Sequence, residues 1–353
     1  MNRSTWRVAV LHLYTGLTAG FFLVVLGTTG ALLAFEEEID RGLNPHLAFV
    51  QPHGEHLRLE QLTPKAVAAY PGYRASALIL PERADLSLIV SLVEGDTRNY
   101  LAVFIDPYTG KVLGDSAHAN QFMSVVHRIH TRLALGGFGS ALTFLGALGL
   151  IVLAASGMRL WLQGQRVTAH SNIGVFAALF VLPFAITALR PIPLGMVWTD
   201  PWTKPGFRVP PQPGVRKLSP DELVDTATRA LPGAQPVSLG LMGREADFPL
   251  DVYMRWPEDH SSDGRSIVYV NPYTGGIQAV TNSREMNPAA RYAWVWNWQI
   301  HTGRIFSRPS QLAAGIASAS LPVVALSGVL LWWKRKRRST FVPRRKTIQD
   351  ERD

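Results

Sequence analysis

The stretch His12-Leu-Tyr-Thr-Gly-Leu-Thr-Ala-Gly-Phe-Phe-Leu-Val-Val-Leu-Gly-Thr-Thr-Gly-Ala-Leu-Leu-Ala-Phe35 decides the architecture. It holds no Asp, Glu, Lys or Arg, and its apolar character reaches back to Val8. About 20 helical residues cross a hydrocarbon core of about 30 Å, so the segment reads as a membrane-spanning helix from about Arg7 to Phe35. A cleaved leader is the rival reading. The run is too long for one, and no small-residue cleavage site precedes Glu36-Glu37-Glu38. Three further segments meet the same criterion: about Gly139–Leu162, about Ser171–Ala188 and about Gln311–Trp333. Composition agrees, since the 353 residues are 47% hydrophobic and only 17% charged, against about 25% charged in ordinary soluble domains.

Charge placement orients the spans. The net charge is +9, and Lys334, Arg335, Lys336, Arg337, Arg338, Arg344, Arg345 and Lys346 follow directly on Trp332-Trp333. At that position a basic block reads as an anchor on anionic lipid head groups rather than a nucleic-acid site. Arg3 and Arg7 before the first span, and Arg159 and Arg166 between the second and third, belong on the same side. Both termini are therefore expected in the cytoplasm of a bacterial-type inner membrane. The expected division is residues 1–37 (N-terminus and first span), 38–121 (first periplasmic domain) and 122–163 (second span with a periplasmic extension). Residues 164–190 are the link and third span, 191–297 the second periplasmic domain, 298–334 the fourth span with its extension, and 335–353 the basic tail. Each periplasmic segment opens on a helix-like stretch, Glu60–Tyr70 or Ser219–Leu231, and continues in alternating strand-like runs. Each closes in nearly the same words, Phe104-Ile-Asp-Pro-Tyr-Thr-Gly110 and Tyr269-Val-Asn-Pro-Tyr-Thr-Gly275. Asp/Asn-Pro followed by Thr-Gly is turn chemistry, which gives the motif a structural role.

The spans repeat as well. Placing His12 on His170 puts Gly16 on Gly174 and Thr29 on Thr187; placing His130 on His301 puts Ser156-Gly157 on Ser327-Gly328 and Trp161 on Trp332. The chain is thus two copies of helix, outer domain, helix. Topology sorts the matched histidines into two levels, His12 with His170 near the cytoplasmic ends and His130 with His301 at the outer ends. Two imidazoles from different helices at one depth are what a six-coordinate haem needs. The chain has no cysteine, which excludes thiolate clusters and covalent c-type attachment, so two b-type haems are expected. Gly16 and Gly174, four residues after their histidines, offer flat helix surface beside a macrocycle. Arg132 and Arg304, with Arg128 and Arg308, lie near the outer pair against the positive-inside trend and suit haem propionates. His127, three residues before His130, is the alternative ligand, though the repeat puts Trp298 at its position. His130 also precedes the second span by nine residues, about 13 Å of helix, which sets the outer pair at or above the membrane surface. His46, His53, His56, His118 and His260 read as solvated surface, with metal chelation by His53 and His56 as the alternative.

At these residues the chain resembles the PepSY-associated transmembrane family, which includes iron-regulated inner-membrane proteins and siderophore-iron reductases. His12-Leu-Tyr-Thr-Gly16 through Phe35 is similar to the family's first helix and Leu43-Asn-Pro45 to its exit. His130-Thr-Arg-Leu-Ala-Leu-Gly136 and His301-Thr-Gly303 are similar to its later histidine motifs. The two Pro-Tyr-Thr-Gly segments resemble the closing hairpin of PepSY domains. Thr187-Ala188 departs where Thr-Gly is the family pattern. The resemblance implies two α+β periplasmic PepSY-like domains and a dihaem reductase that carries electrons outward to a ferric siderophore or other ferric chelate, releasing ferrous iron. No Gly-x-Gly-x-x-Gly follows a strand, so the electrons come from a quinol or a separate cytoplasmic reductase. The competing reading is a non-redox membrane protein whose PepSY domains bind or regulate a periplasmic ligand or protease. It leaves the two-level histidine pattern without a reason. A transporter is disfavoured because four helices make a thin pathway and no acidic residue lies mid-membrane.

Overall fold

The computed structural model describes residues 3–95, 97, 99–164, 168–189, 207–242, 247–259 and 264–340, with residues 338–340 as backbone only. The expectations for Arg166, His260, Arg344, Arg345 and Lys346 lie outside the described residues. Helices α1 (Arg3–Leu33), α2 (Leu59–Ala68), α3 (Phe122–Arg132), α4 (Gly136–Leu162), α5 (Ala169–Ala188), α6 (Pro220–Ala230) and α7 (Ser307–Thr340) organise the chain. Strands β1 (Tyr73–Ile79), β2 (Leu88–Glu94), β3 (Tyr100–Ile105) and β4 (Val112–Asp115) belong to its first half. Strands β5 (Gln235–Gly240), β6 (Leu250–Arg255), β7 (Ser266–Val270) and β8 (Ile277–Thr281) belong to its second. The chain divides into two compact units, one of Met1–Ala34, Val126–Leu189 and Leu312–Asp353, the other of Phe35–Val125 and Arg190–Gln311.

The first unit is the membrane unit. Helices α1, α4, α5 and α7 are each long and apolar enough to cross a bilayer. In lipid, helices associate through close packing of small residues rather than through a hydrophobic drive, and this unit follows that rule. Gly149 faces Ala19, and Gly146 faces Phe22 and Leu26. A Cβ on Gly27 would stand 2.8 Å from Leu321 Cβ, Pro322 Cδ and the Ser318 carbonyl, so α1 and α7 meet at a point only glycine allows. One small cluster joins Ala19, Leu23 and Leu153, a second joins Ala177, Val181, Ala317 and Leu321, and Leu150 packs against both. Helix α7 runs past the apolar segment into its basic cluster. There Arg337 lies over the Trp333 ring at 4.0 Å and Lys336 over Trp332 at 5.4 Å, as amphipathic side chains do at a head-group boundary.

In the second unit the two outer segments share one sheet. Both halves contribute to one eight-stranded antiparallel sheet, in the order β4-β3-β2-β1-β5-β6-β7-β8. Each half is a four-stranded meander, and the two join where Ala77, Leu78 and Ile79 of β1 pair with Gly240, Leu239 and Ser238 of β5. Pairing the two first strands hides an edge that each meander would otherwise expose. Helices α2 and α6 cover one face, and Leu62, Ala66, Leu223 and Ala227 share a single core with Val90, Val103, Val252 and Val268. Asp221 of α6 accepts the amides of Leu59 and Glu60 at 3.0 and 2.9 Å, so the second half caps the first half's helix. Glu82 pairs with Arg41 at 3.0 Å and with Arg255 of β6 at 3.1 Å.

The repeated closing motif is a turn in both halves. Asp106 Oδ1 accepts from the Tyr108 and Thr109 amides, and Asn271 Oδ1 from those of Tyr273 and Thr274. Gly110 and Gly275 follow with φ of +71° and +73°, which a side chain would strain. The tyrosine hydroxyls tie down neighbouring loops, Tyr108 to the Ala84 carbonyl and Tyr273 to the Gln212 amide.

Candidate functional site: paired imidazoles among the membrane helices

His12 of α1 and His170 of α5 meet inside the membrane unit, their ring centres 6.4 Å apart and their planes 76° apart. Each is anchored from the partner helix of its own half. His12 Nδ1 lies 2.8 Å from Ser156 Oγ on α4, and His170 Nδ1 lies 2.9 Å from Ser327 Oγ on α7. The next residue is glycine in both cases. A Cβ on Gly157 would meet His12 Cε1 at 3.1 Å, and one on Gly328 would meet His170 Cε1 at 3.2 Å. The imidazoles therefore rest on the bare helix surface that Ser-Gly provides.

The spacing suits a shared metal. With about 2.0 Å from metal to each nitrogen, and about 1.1 Å from nitrogen to ring centre, two imidazoles sharing one metal would have ring centres up to about 6.2 Å apart. Among the described residues no group of three or more His, Cys, Asp or Glu is gathered to hold a metal. His12 and His170 would be the two protein ligands of such a group. That donor set fits a bis-imidazole haem. Gly16 and Gly174, expected to provide the flat surface, instead face Leu153 and Val324 at ordinary contact, 3.7 and 3.8 Å for an added Cβ. The tight approaches to the ligands belong to Gly157 and Gly328. Their Ser-Gly pairs appear in the repeat alignment, and identical hydroxyl–glycine dipeptides facing matched histidines are the signal that marks them.

His130 lies beside the outer end of α1. Its α3 is separate from α4, because Leu133, Ala134 and Gly136 take φ of 47°, 58° and 61° and reverse the chain. Gly139 packs against the Arg132 carbonyl, and Thr143 of α4 donates to the Thr131 carbonyl at 3.2 Å, so the end of α3 runs beside the first two turns of α4. His130 thereby comes down to the last turn of α1, where its Nδ1 lies 2.9 Å from Thr29 Oγ1 and its Cε1 faces Gly30. Thr29-Gly30 serves His130 as Ser156-Gly157 serves His12. The two levels are separated by the 17 residues from His12 to Thr29, about 25 Å of helix. His127, the alternative ligand, is exposed, whereas His130 is half-buried.

His301 ends the short helix Asn297–His301 of the second unit. The chain then turns as at the first copy's break, with Ser307 at φ 61°, the position the repeat matches to Gly136. Arg304, expected near a propionate, is paired with Glu37. Arg132 is exposed. Gln299, two residues before His301, is buried, and its Nε2 donor has no acceptor among the described residues. Of the outer histidines, His53 and His56 lie against the Tyr108 ring at 5.2 and 4.5 Å, and His118 pairs with Asp115 at 2.9 Å.

No curated protein matches this chain. The family model described as the PepSY-associated TM region matches residues 9–335, a span that takes in every strand and all or most of every helix discussed above. The chain is a multi-pass membrane protein, and it belongs to the PepSY-associated transmembrane family.

Proposed function

We propose that this protein is an inner-membrane reductase with two b-type haems, passing electrons to a ferric siderophore or related ferric chelate on the outer side and releasing ferrous iron. The observation that carries the reading is the His12–His170 pair, two Nδ1-anchored imidazoles whose centres stand 6.4 Å apart. Haem held in this way supplies a reversible one-electron carrier. The chain's own part would be to offer the group one ring nitrogen from His12 of α1 and one from His170 of α5. Gly157 and Gly328 admit the rings close to the backbone. His130 is held by Thr29 in the same manner, and its pairing with His301 rests on repeat equivalence alone. The buried Gln299 donor beside His301 suits a carboxylate or carbonyl acceptor on a bound group. Each ferric chelate takes one electron to become ferrous, and the electron is supplied by a quinol or a cytoplasmic reductase. Both termini lie on the donor's side.

The test is reduction of a ferric hydroxamate chelate by the purified protein in liposomes, read with a ferrous-specific trap and a quinol as donor. Wild type should form the ferrous complex, and His12→Ala and His170→Ala should not. Folded, colourless wild-type protein from haem-replete cells would count against the whole reading.

A further inference from the structure

We infer that Ser156 and Ser327 are the acceptors that set the tautomer of His12 and His170, leaving Nε2 of each as the metal-facing nitrogen, and that Thr29 does the same for His130. The inference rests on the haem reading above and adds the residues that position its ligands. The argument is a count of protons. A serine hydroxyl has one proton and two lone pairs. Ser156 Oγ sits 2.6 Å from the Val152 carbonyl of its own helix, and Ser327 Oγ sits 3.0 Å from the Val324 carbonyl. A carbonyl only accepts, so each hydroxyl proton is committed to the backbone. The contact from serine oxygen to histidine Nδ1 must then use a proton on Nδ1. Backbone carbonyls of Leu153 and Val324 face the same two imidazoles and likewise only accept. A neutral imidazole protonated at Nδ1 has its lone pair on Nε2.

Thr29 repeats the pattern. Its Oγ1 donates to the Val25 carbonyl at 2.7 Å and meets His130 Nδ1 at 2.9 Å. Three histidines on three helices therefore share one cradle, a hydroxyl that must accept followed by a glycine that lets the ring lie flat. Outer partners of this kind fix ring orientation and raise ligand basicity. A hydroxyl does so more weakly than a carboxylate, so these ligands stay close to neutral imidazole.

The test uses full-length haem-loaded protein with Ser156→Ala, Ser327→Ala and the matching Ser→Thr variants. Alanine preserves shape and helix but accepts nothing, while threonine restores the acceptor as Thr29 already does. Each alanine variant should lose haem to an excess of apo-globin about tenfold faster than wild type or more. Its inner haem should also show a more positive midpoint potential, and threonine should reverse both changes. A role in packing alone would leave the potential unmoved. Unchanged loss rate and potential in both alanine variants overturn the inference while leaving the haem reading intact. Absence of haem from wild type overturns the reading itself. Nitrogen-15 NMR of the ferrous wild-type protein gives a second measure that needs no variant: the protonated ring nitrogen should be Nδ1 in His12 and His170, and Nε2–H in either overturns the assignment.

Discussion

Filling the glycine beneath an inner ligand should dislodge it. At Gly157 an added Cβ would stand 3.1 Å from His12 Cε1, against about 3.5–4.0 Å for carbon atoms at their optimum. Alanine then asks the ring to move by about half an ångström. Valine adds branching methyls to a contact that already has no room, and overpacking of this kind costs about 1–3 kcal/mol. The ring can retreat only by stretching its 2.8 Å link to Ser156 or by closing on His170. Designed and natural metal sites tolerate about 0.2 Å in ligand distance. Gly157→Ala should therefore weaken haem retention, and Gly157→Val should empty the site or leave it high-spin. Gly328→Val should do the same through His170, where the corresponding distance is 3.2 Å. Gly20→Ala is the control, because its Cβ would meet nothing within 4 Å. The assay is haem per chain by pyridine haemochrome, alongside thermal unfolding to confirm a folded protein. Folded Gly157→Val with full low-spin haem would refute the cradle.

Three other outcomes follow from the fold. Asp221→Ala removes the carboxylate that caps α2 and should cost about 1 kcal/mol in denaturant unfolding; no loss would mean the cap is not formed. Because β1 and β5 share one sheet, single cysteines placed at Thr97 and Thr228 should both be labelled from the same side of sealed vesicles. Labelling from opposite sides contradicts the fold. Burial would raise the Asp115 carboxyl, but hydrogen bonds from Tyr70, His118 and two backbone amides outweigh it and hold its pKa below the ordinary 3.8. Its contribution is present above that value and lost as pH falls through the lower folded value. Burial and the Asp115 partner push Tyr70 up to about 12, so its share holds below its ordinary 10 and is lost as pH rises toward about 12. Thermal midpoints of wild type and Tyr70→Phe across both limbs check these signs, and identical profiles would exclude the pair.

Much of this was legible because the relevant signals are local. Four apolar runs, two Asx-Pro-Tyr-Thr-Gly turns and the matched histidines are written in short stretches, and β7 spans Ser266–Val270 as the alternation predicts. The joining of two meanders was not legible, because β1 and β5 are far apart in the chain and their pairing carries no local mark. The reversal before α4 was hidden for a different reason. Leu133 and Ala134 rarely adopt left-handed backbone, and only Gly136 hints at the break. A straight helix through that point would not bring His130 back to Thr29. The pairing of Arg304 with Glu37 was not legible, because Glu37 lies in a distant segment of sequence. Gly16 drew attention by spacing alone, whereas Gly157 needed the position of the His12 ring.

The account turns on whether His12 and His170 hold the same iron. Low-temperature EPR of the oxidised protein, compared across wild type, His12→Ala and His170→Ala, asks this directly. Wild type should show low-spin bis-imidazole signals, and each substitution should abolish the same one, converting it to high spin and leaving any second signal unchanged. If the two substitutions remove different signals, or if both leave every low-spin signal in place, the pairing that anchors this account is contradicted.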